Sequence, residues 1–167
     1  ELGYAFMPAA HGGLIGFVDM PGHEKLVRTM VAGASGIDFA LLLIAADDGI
    51  MPQTIEHSSI LSLLGVRRGA AVITKIDRVD EALRKQRISE VQVLLADAGL
   101  TDYPVLCVSA LQGDGVEELR SLLLAEAEDI KADIAAVNAF RMGLDRAFTL
   151  DGVGTVVAGS IAEGQVK

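Results

Sequence analysis

Three stretches of the 167-residue chain carry residue types that could do chemistry: Asp19-Met20-Pro21-Gly22-His23, Thr74-Lys75-Ile76-Asp77 and Ser109-Ala110-Leu111. Each follows an apolar run that reads as a strand, at residues 14–18, 70–73 and 105–108, so each stands at a strand's carboxyl end. In doubly wound sheets that rim is where ligands bind. The chemistry on offer is the holding of a polar ligand by carboxylates, an ammonium, a hydroxyl and backbone N–H groups. No nucleophile–base pair and no Gly-x-Gly-x-x-Gly run points to a metabolic α/β enzyme. Taken singly, each stretch has a plainer reading. Asp-x-x-Gly commonly caps a helix, Lys75 and Asp77 read as a solvated pair opening a loop, and Ser109 reads as the polar end of a strand. Their joint order on successive strand ends favours one shared site.

The elements that must position these residues follow from the patterning. Residues 2–7 and 14–19 read as strands joined by a hairpin turn, Pro8-Ala9-Ala10-His11-Gly12-Gly13. After Asp19 a tight loop leads into a helix with Leu26, Val27, Met30 and Val31 at three-to-four spacing. An apolar strand over 39–46 ends in Asp47-Asp48-Gly49. Pro52 then opens a helix through Ile55, Ile60 and Leu64, closed by Gly65. A strand over 70–73, an amphipathic helix over 80–98 stopped by Gly99, a strand over 105–108 and a helix over 115–128 complete the series. Strands apolar throughout, alternating with helices, predict an α/β fold with a mostly parallel sheet covered on both faces. The pattern changes at Phe140. Strands over 140–150 and 155–161 flank the turn 151–154 with no helix between them, which predicts the start of a β-barrel. The reading therefore divides the chain into a domain over 1–136 and a second over 137–167.

Composition narrows the function classes. With 51% hydrophobic and 22% charged residues, the chain is a globular and not a disordered one. The longest apolar run, residues 39–46, falls far short of the roughly 20 residues a membrane helix needs. Lys plus Arg 14 against Asp plus Glu 23 gives a net charge of −9, which disfavours a generic phosphate-backbone binder. Cys107 is the single cysteine, so there is neither a disulfide framework nor a cysteine metal cluster, and a reducing cytosol suits the chain.

An Asp, a Lys-x-Asp and a Ser-Ala in this order match the third, fourth and fifth nucleotide-binding motifs of translational GTPases. Across its whole length the chain resembles the bacterial selenocysteine-specific elongation factors, relatives of elongation factor Tu. The resemblance rests on residues 19–24 (Asp-Met-Pro-Gly-His-Glu), 32–38 (Ala-Gly-Ala-Ser-Gly-Ile-Asp), 48–57 (Asp-Gly-Ile-Met-Pro-Gln-Thr-Ile-Glu-His) and 145–149 (Asp-Arg-Ala-Phe-Thr). Glu24-Lys25, the Thr-Lys-x-Asp form and the Asp-Arg-Ala-Phe run favour the selenocysteine branch over elongation factor Tu or initiation factors. The resemblance implies a P-loop GTPase-type fold, GTP or GDP with Mg²⁺ as ligands, and a cytoplasmic location. It also implies selenocysteyl-tRNA and the ribosome as partners, and a messenger RNA hairpin bound through further domains.

It implies residue roles as well. Asp19 holds Mg²⁺ through a water, since Mg²⁺ keeps several waters and prefers carboxylate oxygen. Pro21 and Gly22 bring a backbone N–H to the γ-phosphate with no Cβ in the way. His23 orients the attacking water and is the one catalytic candidate; His57 reads as a surface or packing residue and His11 as a turn residue. Asp77 accepts from two adjacent N–H donors on the guanine edge, a contact adenine lacks. Lys75 lays its stem along the base, and the Ala110 N–H, between Ser109 and Leu111, faces the guanine carbonyl. Thr74 stands where the family generally has Asn, and its hydroxyl can brace fewer loop bonds than an amide. Asp145 and Arg146 match a pair thought to recognise the aminoacyl group. A selenol is acidic enough to be an anion at neutral pH, which a guanidinium favours. The plainer reading is a surface strand pair worth at most about 1 kcal/mol.

One expected motif is absent. A phosphate loop needs Gly-x-x-x-x-Gly-Lys-Ser/Thr, yet Lys25, Lys75, Lys85, Lys131 and Lys167 follow Glu, Thr, Arg, Ile and Val. The opening Glu1-Leu2-Gly3-Tyr4 reads as the middle of a strand and the chain as a fragment, with the phosphate loop and the sheet's first strand expected upstream. That strand belongs between the strands at Leu14 and Phe39. Residues 1–167 alone are therefore expected to bind GTP very weakly and to hydrolyse essentially none. The alternatives are another tRNA-delivery or initiation factor, or a non-catalytic interaction module built on the same scaffold.

Overall fold

The structure, a computed structural model, describes residues 3–9, 13–19, 37–136 and 140–163. The chain divides into two compact units, Glu1–Ala125 and Glu126–Lys167. In the first, β1 (Gly3–Pro8) and β2 (Leu14–Asp19) form an antiparallel hairpin with Tyr4 opposite Val18. A separate sheet holds β3 (Ala40–Ala45), β4 (Gly69–Thr74) and β5 (Val105–Cys107) in that order, all parallel. The α/β class and the parallel sheet are as the alternating pattern predicts. Among the described residues β2 and β3 do not pair with each other. The helix predicted after Asp19 and the centre of the first turn, including His11, lie outside the described residues.

Helix boundaries follow local signals. In α1 (Pro52–Leu63) the fixed φ of Pro52 suits the first helical position, and the Met51 N–H donates to Thr54 Oγ1 at 3.3 Å. The helix stops where Gly65 takes a left-handed φ of 69°. In α2 (Glu81–Asp97) the Asp80 carboxylate accepts from the Leu83 N–H at 2.8 Å and caps the first turn. An i,i+4 ion pair, Lys85 to Glu81 at 2.8 Å, adds a few tenths of a kcal/mol, about 0.3–0.5 on an exposed helix face. Helix α3 spans Val116–Ala136, beyond the predicted end at 128. With neither Gly nor Pro anywhere in that span, nothing local stops it. It crosses the division between the two units, which falls between Ala125 and Glu126.

The core sits around β4, whose Ala70, Ala71, Val72 and Ile73 are fully buried. As the central strand of three it is covered on both faces, which is why its sequence shows no polar alternation. Leu61 of α1 and Val91, Leu94 and Leu95 of α2 join Leu42 and Ile44 of β3 in one cluster. Tyr103, also in that cluster, donates its hydroxyl to the Val66 carbonyl at 2.8 Å, so its one polar atom is satisfied inside the core. Burial pushes its phenol pKa up.

In the second unit β6 (Arg141–Leu150) and β7 (Gly154–Glu163) form an antiparallel hairpin. Its register slips between Leu144 and Arg146, so Asp145 sits at an irregularity in the ladder and Arg146 faces Ala158. No helix among the described residues is long and apolar enough to cross a membrane.

Candidate functional site

The rim of the parallel sheet brings two of the three stretches together. β4 and β5 end in register, Ile73 beside Cys107, and the Val108 N–H continues the ladder to the Ile73 carbonyl at 2.8 Å. Lys75 then takes a φ of 56°, the one non-glycine residue with positive φ among those described. That left-handed step is uncommon for a residue with a Cβ and costs on the order of 1–2 kcal/mol. It turns the chain abruptly off the strand into a single 3₁₀ turn, Ile76–Arg78, closed by the Arg78 N–H on the Lys75 carbonyl at 3.0 Å.

The turn delivers Asp77 to Ser109. Ser109 Oγ donates to Asp77 Oδ1 at 2.5 Å, and the same Oγ accepts from the Gln112 N–H at 3.1 Å. Ser109 is completely buried, and its backbone is pinned on both sides: its N–H donates to the Asp114 carbonyl at 2.9 Å, and its carbonyl accepts from the Gly113 N–H at 2.8 Å. Gly115, with φ of 70°, closes this loop so tightly that a Cβ there would overlap the Cys107 carbonyl oxygen. Among the described residues no hydrogen bond is recorded to Asp77 Oδ2, and the carboxylate is half-buried. Ala110 and Leu111 are exposed at the loop's outer edge.

Thr74 donates its hydroxyl to the Ile44 carbonyl at a long 3.4 Å, so it ties β4 to β3 and not to the 109–115 loop. The brace expected at this position is supplied by Ser109 instead. A second network was not visible in the sequence. Asp47 accepts from Arg78 Nη1 at 2.9 Å and from Lys75 Nζ at 3.3 Å, and Asp48 stands 3.6 Å from the same ammonium. The Arg78 guanidinium holds the Asp47 carboxyl below its ordinary pKa and is itself raised by that carboxylate. The 31-residue separation of Arg78 from Asp47 left no local signal to find.

Other predicted residues are distributed as follows. Asp19 is exposed at the end of β2, opposite Gly3 in the hairpin and in a different sheet from β4, the strand that leads to Asp77. Pro21, Gly22 and His23 lie outside the described residues. His57 is half-buried in α1, and Arg146 is exposed on β6. Among the described residues no three His, Cys, Asp or Glu side chains gather into a metal site.

Chemically, the rim presents a carboxylate with one oxygen fixed by a buried hydroxyl and the other free to accept. Such a group suits a ligand edge carrying adjacent N–H donors. The lysine stem beside it can cover a flat apolar face.

The elongation factor Tu GTP-binding domain family matches residues 7–129. The chain is 46% identical over 167 residues to a selenocysteine-specific elongation factor of Desulfomicrobium baculatum, and 42% identical to that of Escherichia coli K12. All of this chain is covered in both comparisons, against 26% and 27% of those proteins, so it spans about a quarter of their length. Among solved structures, a bacterial selenocysteine-specific elongation factor superposes with a TM-score of 0.78 at 33% identity, covering 100% of this chain and 28% of that one. The elongation factor SelB of Methanococcus maripaludis, bound to the GTP analogue GppNHp, gives 0.75 at 32% identity, with 98% and 36% covered.

Proposed function

The chain belongs to the elongation factor Tu GTP-binding domain family, and from that premise we propose that the full-length protein binds and hydrolyses GTP to deliver selenocysteyl-tRNA to the ribosome. The observation that carries the guanine assignment is Asp77, its one oxygen fixed by buried Ser109 and its other free. The subfamily reading is supported by relatives at 46% and 42% identity that are named selenocysteine-specific elongation factors. Its location is the cytoplasm, and it meets a messenger RNA hairpin through domains beyond these residues.

Asp77 accepts from the two adjacent guanine N–H groups, Lys75 covers the base, and the Ala110 N–H meets the guanine carbonyl. Ser109 does not touch the base; it fixes Asp77. Gly22 offers its N–H to the γ-phosphate, so that loss of the phosphate releases the helix that follows. His23 orients the attacking water, and Asp19 holds Mg²⁺ through another. Bound Mg²⁺ supplies neutralisation of the charge on the β- and γ-phosphates.

Titration of the full-length protein with GDP, GTP and ATP tests the reading. Guanine nucleotides bind and ATP does not; an equal response to all three removes the guanine assignment, and no response to any leaves only the scaffold alternative. The selenocysteine assignment has its own check. Arg146→Ala weakens binding of selenocysteyl-tRNA by about tenfold, as for one lost charge-assisted contact of about 1.4 kcal/mol, and leaves seryl-tRNA nearly unchanged. Equal losses for both would make Arg146 an ordinary surface residue.

A further inference from the structure

We propose that Asp47 is a positioning residue for the guanine site. It anchors the ammonium of Lys75 so that the lysine stem is held in place along the base, and Arg87 in turn fixes the loop that carries Asp47. The proposal rests on the guanine reading of Asp77 and Lys75 given above.

Three observations lead there. Lys75 has a left-handed backbone, so its side chain leaves the strand end in a direction set by strain and not by the ladder. A four-carbon stem so placed still has several rotatable bonds, and a flat base gains from its cover only where the far end is fixed. The far end meets Asp47 at 3.3 Å and Asp48 at 3.6 Å, both on the turn that follows β3. Asp47 is itself oriented by Arg78, one residue past Asp77, with Nη1 on Oδ2 at 2.9 Å. The residue that reads the base edge and the residue that covers its face are thereby tied through one carboxylate.

The turn carrying Asp47 is not free to drift. Arg87 of α2 reaches across the sheet end and donates Nε to the Ala46 carbonyl at 3.0 Å, while its Nη1 is held by Glu90 at 2.7 Å. The Gly49 N–H closes the turn on the Ala45 carbonyl at 2.8 Å, and the Ala46 N–H binds the Thr74 carbonyl at 2.9 Å. Gly49 has a φ of 75° and lies under the guanidinium, where a Cβ would stand 2.7 Å from Cζ of Arg87. The guanidinium packs against this turn because residue 49 has no side chain. Arg87 therefore sets Asp47, and Asp47 sets Lys75.

The test is a double-mutant cycle in the full-length protein, read as the dissociation constant of N-methylanthraniloyl-GDP. Asp47→Asn weakens binding by about fivefold, the upper range for a partly exposed pair, and does so by less than about twofold once Lys75 is Ala. Arg78→Leu, a second variant acting on Asp47 from the other side, follows the same pattern. Equal losses in both lysine backgrounds would reveal a merely structural carboxylate and overturn the proposal, as would unchanged or tighter binding by Asp47→Asn. If Lys75→Ala alone leaves affinity intact, the base-covering role of Lys75 falls and the proposal with it, while the reading of Asp77 stands or falls by its own exchange. If Lys75→Ala weakens binding but the Asp47 term does not depend on it, the proposal alone falls.

Discussion

Asp77→Asn in the full-length protein lowers GTP affinity by about 10²–10³-fold, the worth of two charge-assisted hydrogen bonds less what one amide can recover. Xanthosine triphosphate gains affinity over the same exchange. Xanthine carries a carbonyl where guanine has its exocyclic amine, and the Asn amide has an N–H to give it. The fold should tolerate the change, because an amide oxygen can still accept from Ser109 Oγ, the bond that places this side chain. Competition between labelled GDP and the two triphosphates measures the switch. An unaltered preference for guanosine would mean that Asp77 does not read the base, and the proposed site would be lost with it.

Gly115→Ala has the largest expected effect on stability, a loss of about 3 kcal/mol or more. A left-handed φ costs an L-residue about 1–2 kcal/mol, and the remainder comes from the overlap of the new Cβ with the Cys107 carbonyl. That carbonyl belongs to β5 and is backbone, so relief requires moving the strand or the loop. Because the loop runs back to Ser109, guanine-nucleotide affinity falls together with stability. Chemical denaturation of the full-length protein measures the first effect and nucleotide titration the second. A loss under about 1 kcal/mol, the ordinary effect of a point substitution, would show that the loop is not held as described.

The parts of this architecture written locally were legible in the sequence. Pro52, Asp80, Gly65 and Gly99 mark helix ends by their own conformational limits, and the unbroken apolar runs of β3 and β4 announce a sheet covered on both faces. Where no residue forces an end, the reading faltered: the span 129–136 continues α3 because nothing in it favours stopping. The candidate site was half legible. Lys75, Asp77 and Ser109 stand out by type and order. That Ser109 would be the residue fixing Asp77 follows only once β4 and β5 are side by side, because 32 positions separate them in the chain. In the sequence Asp47 is one of two carboxylates that end an apolar strand, and Arg87 does not stand out within the amphipathic helix over 80–98. Asp47 owes its partners to the turn after β4 lying beside the end of β3, and Arg87 owes its own to the way α2 crosses the sheet end, neither of which periodicity encodes.

The order of the parallel sheet has a practical side. Among the described residues β3, Ala-Leu-Leu-Leu-Ile-Ala, pairs within its sheet on one side only. A six-residue segment without charge or proline, rich in branched side chains and open along one backbone edge, is the kind of template on which copies of a chain recruit one another. Residues 1–167 prepared alone are therefore prone to concentration-dependent precipitation. The remedy lies in occupying that edge and not in altering the nucleotide rim.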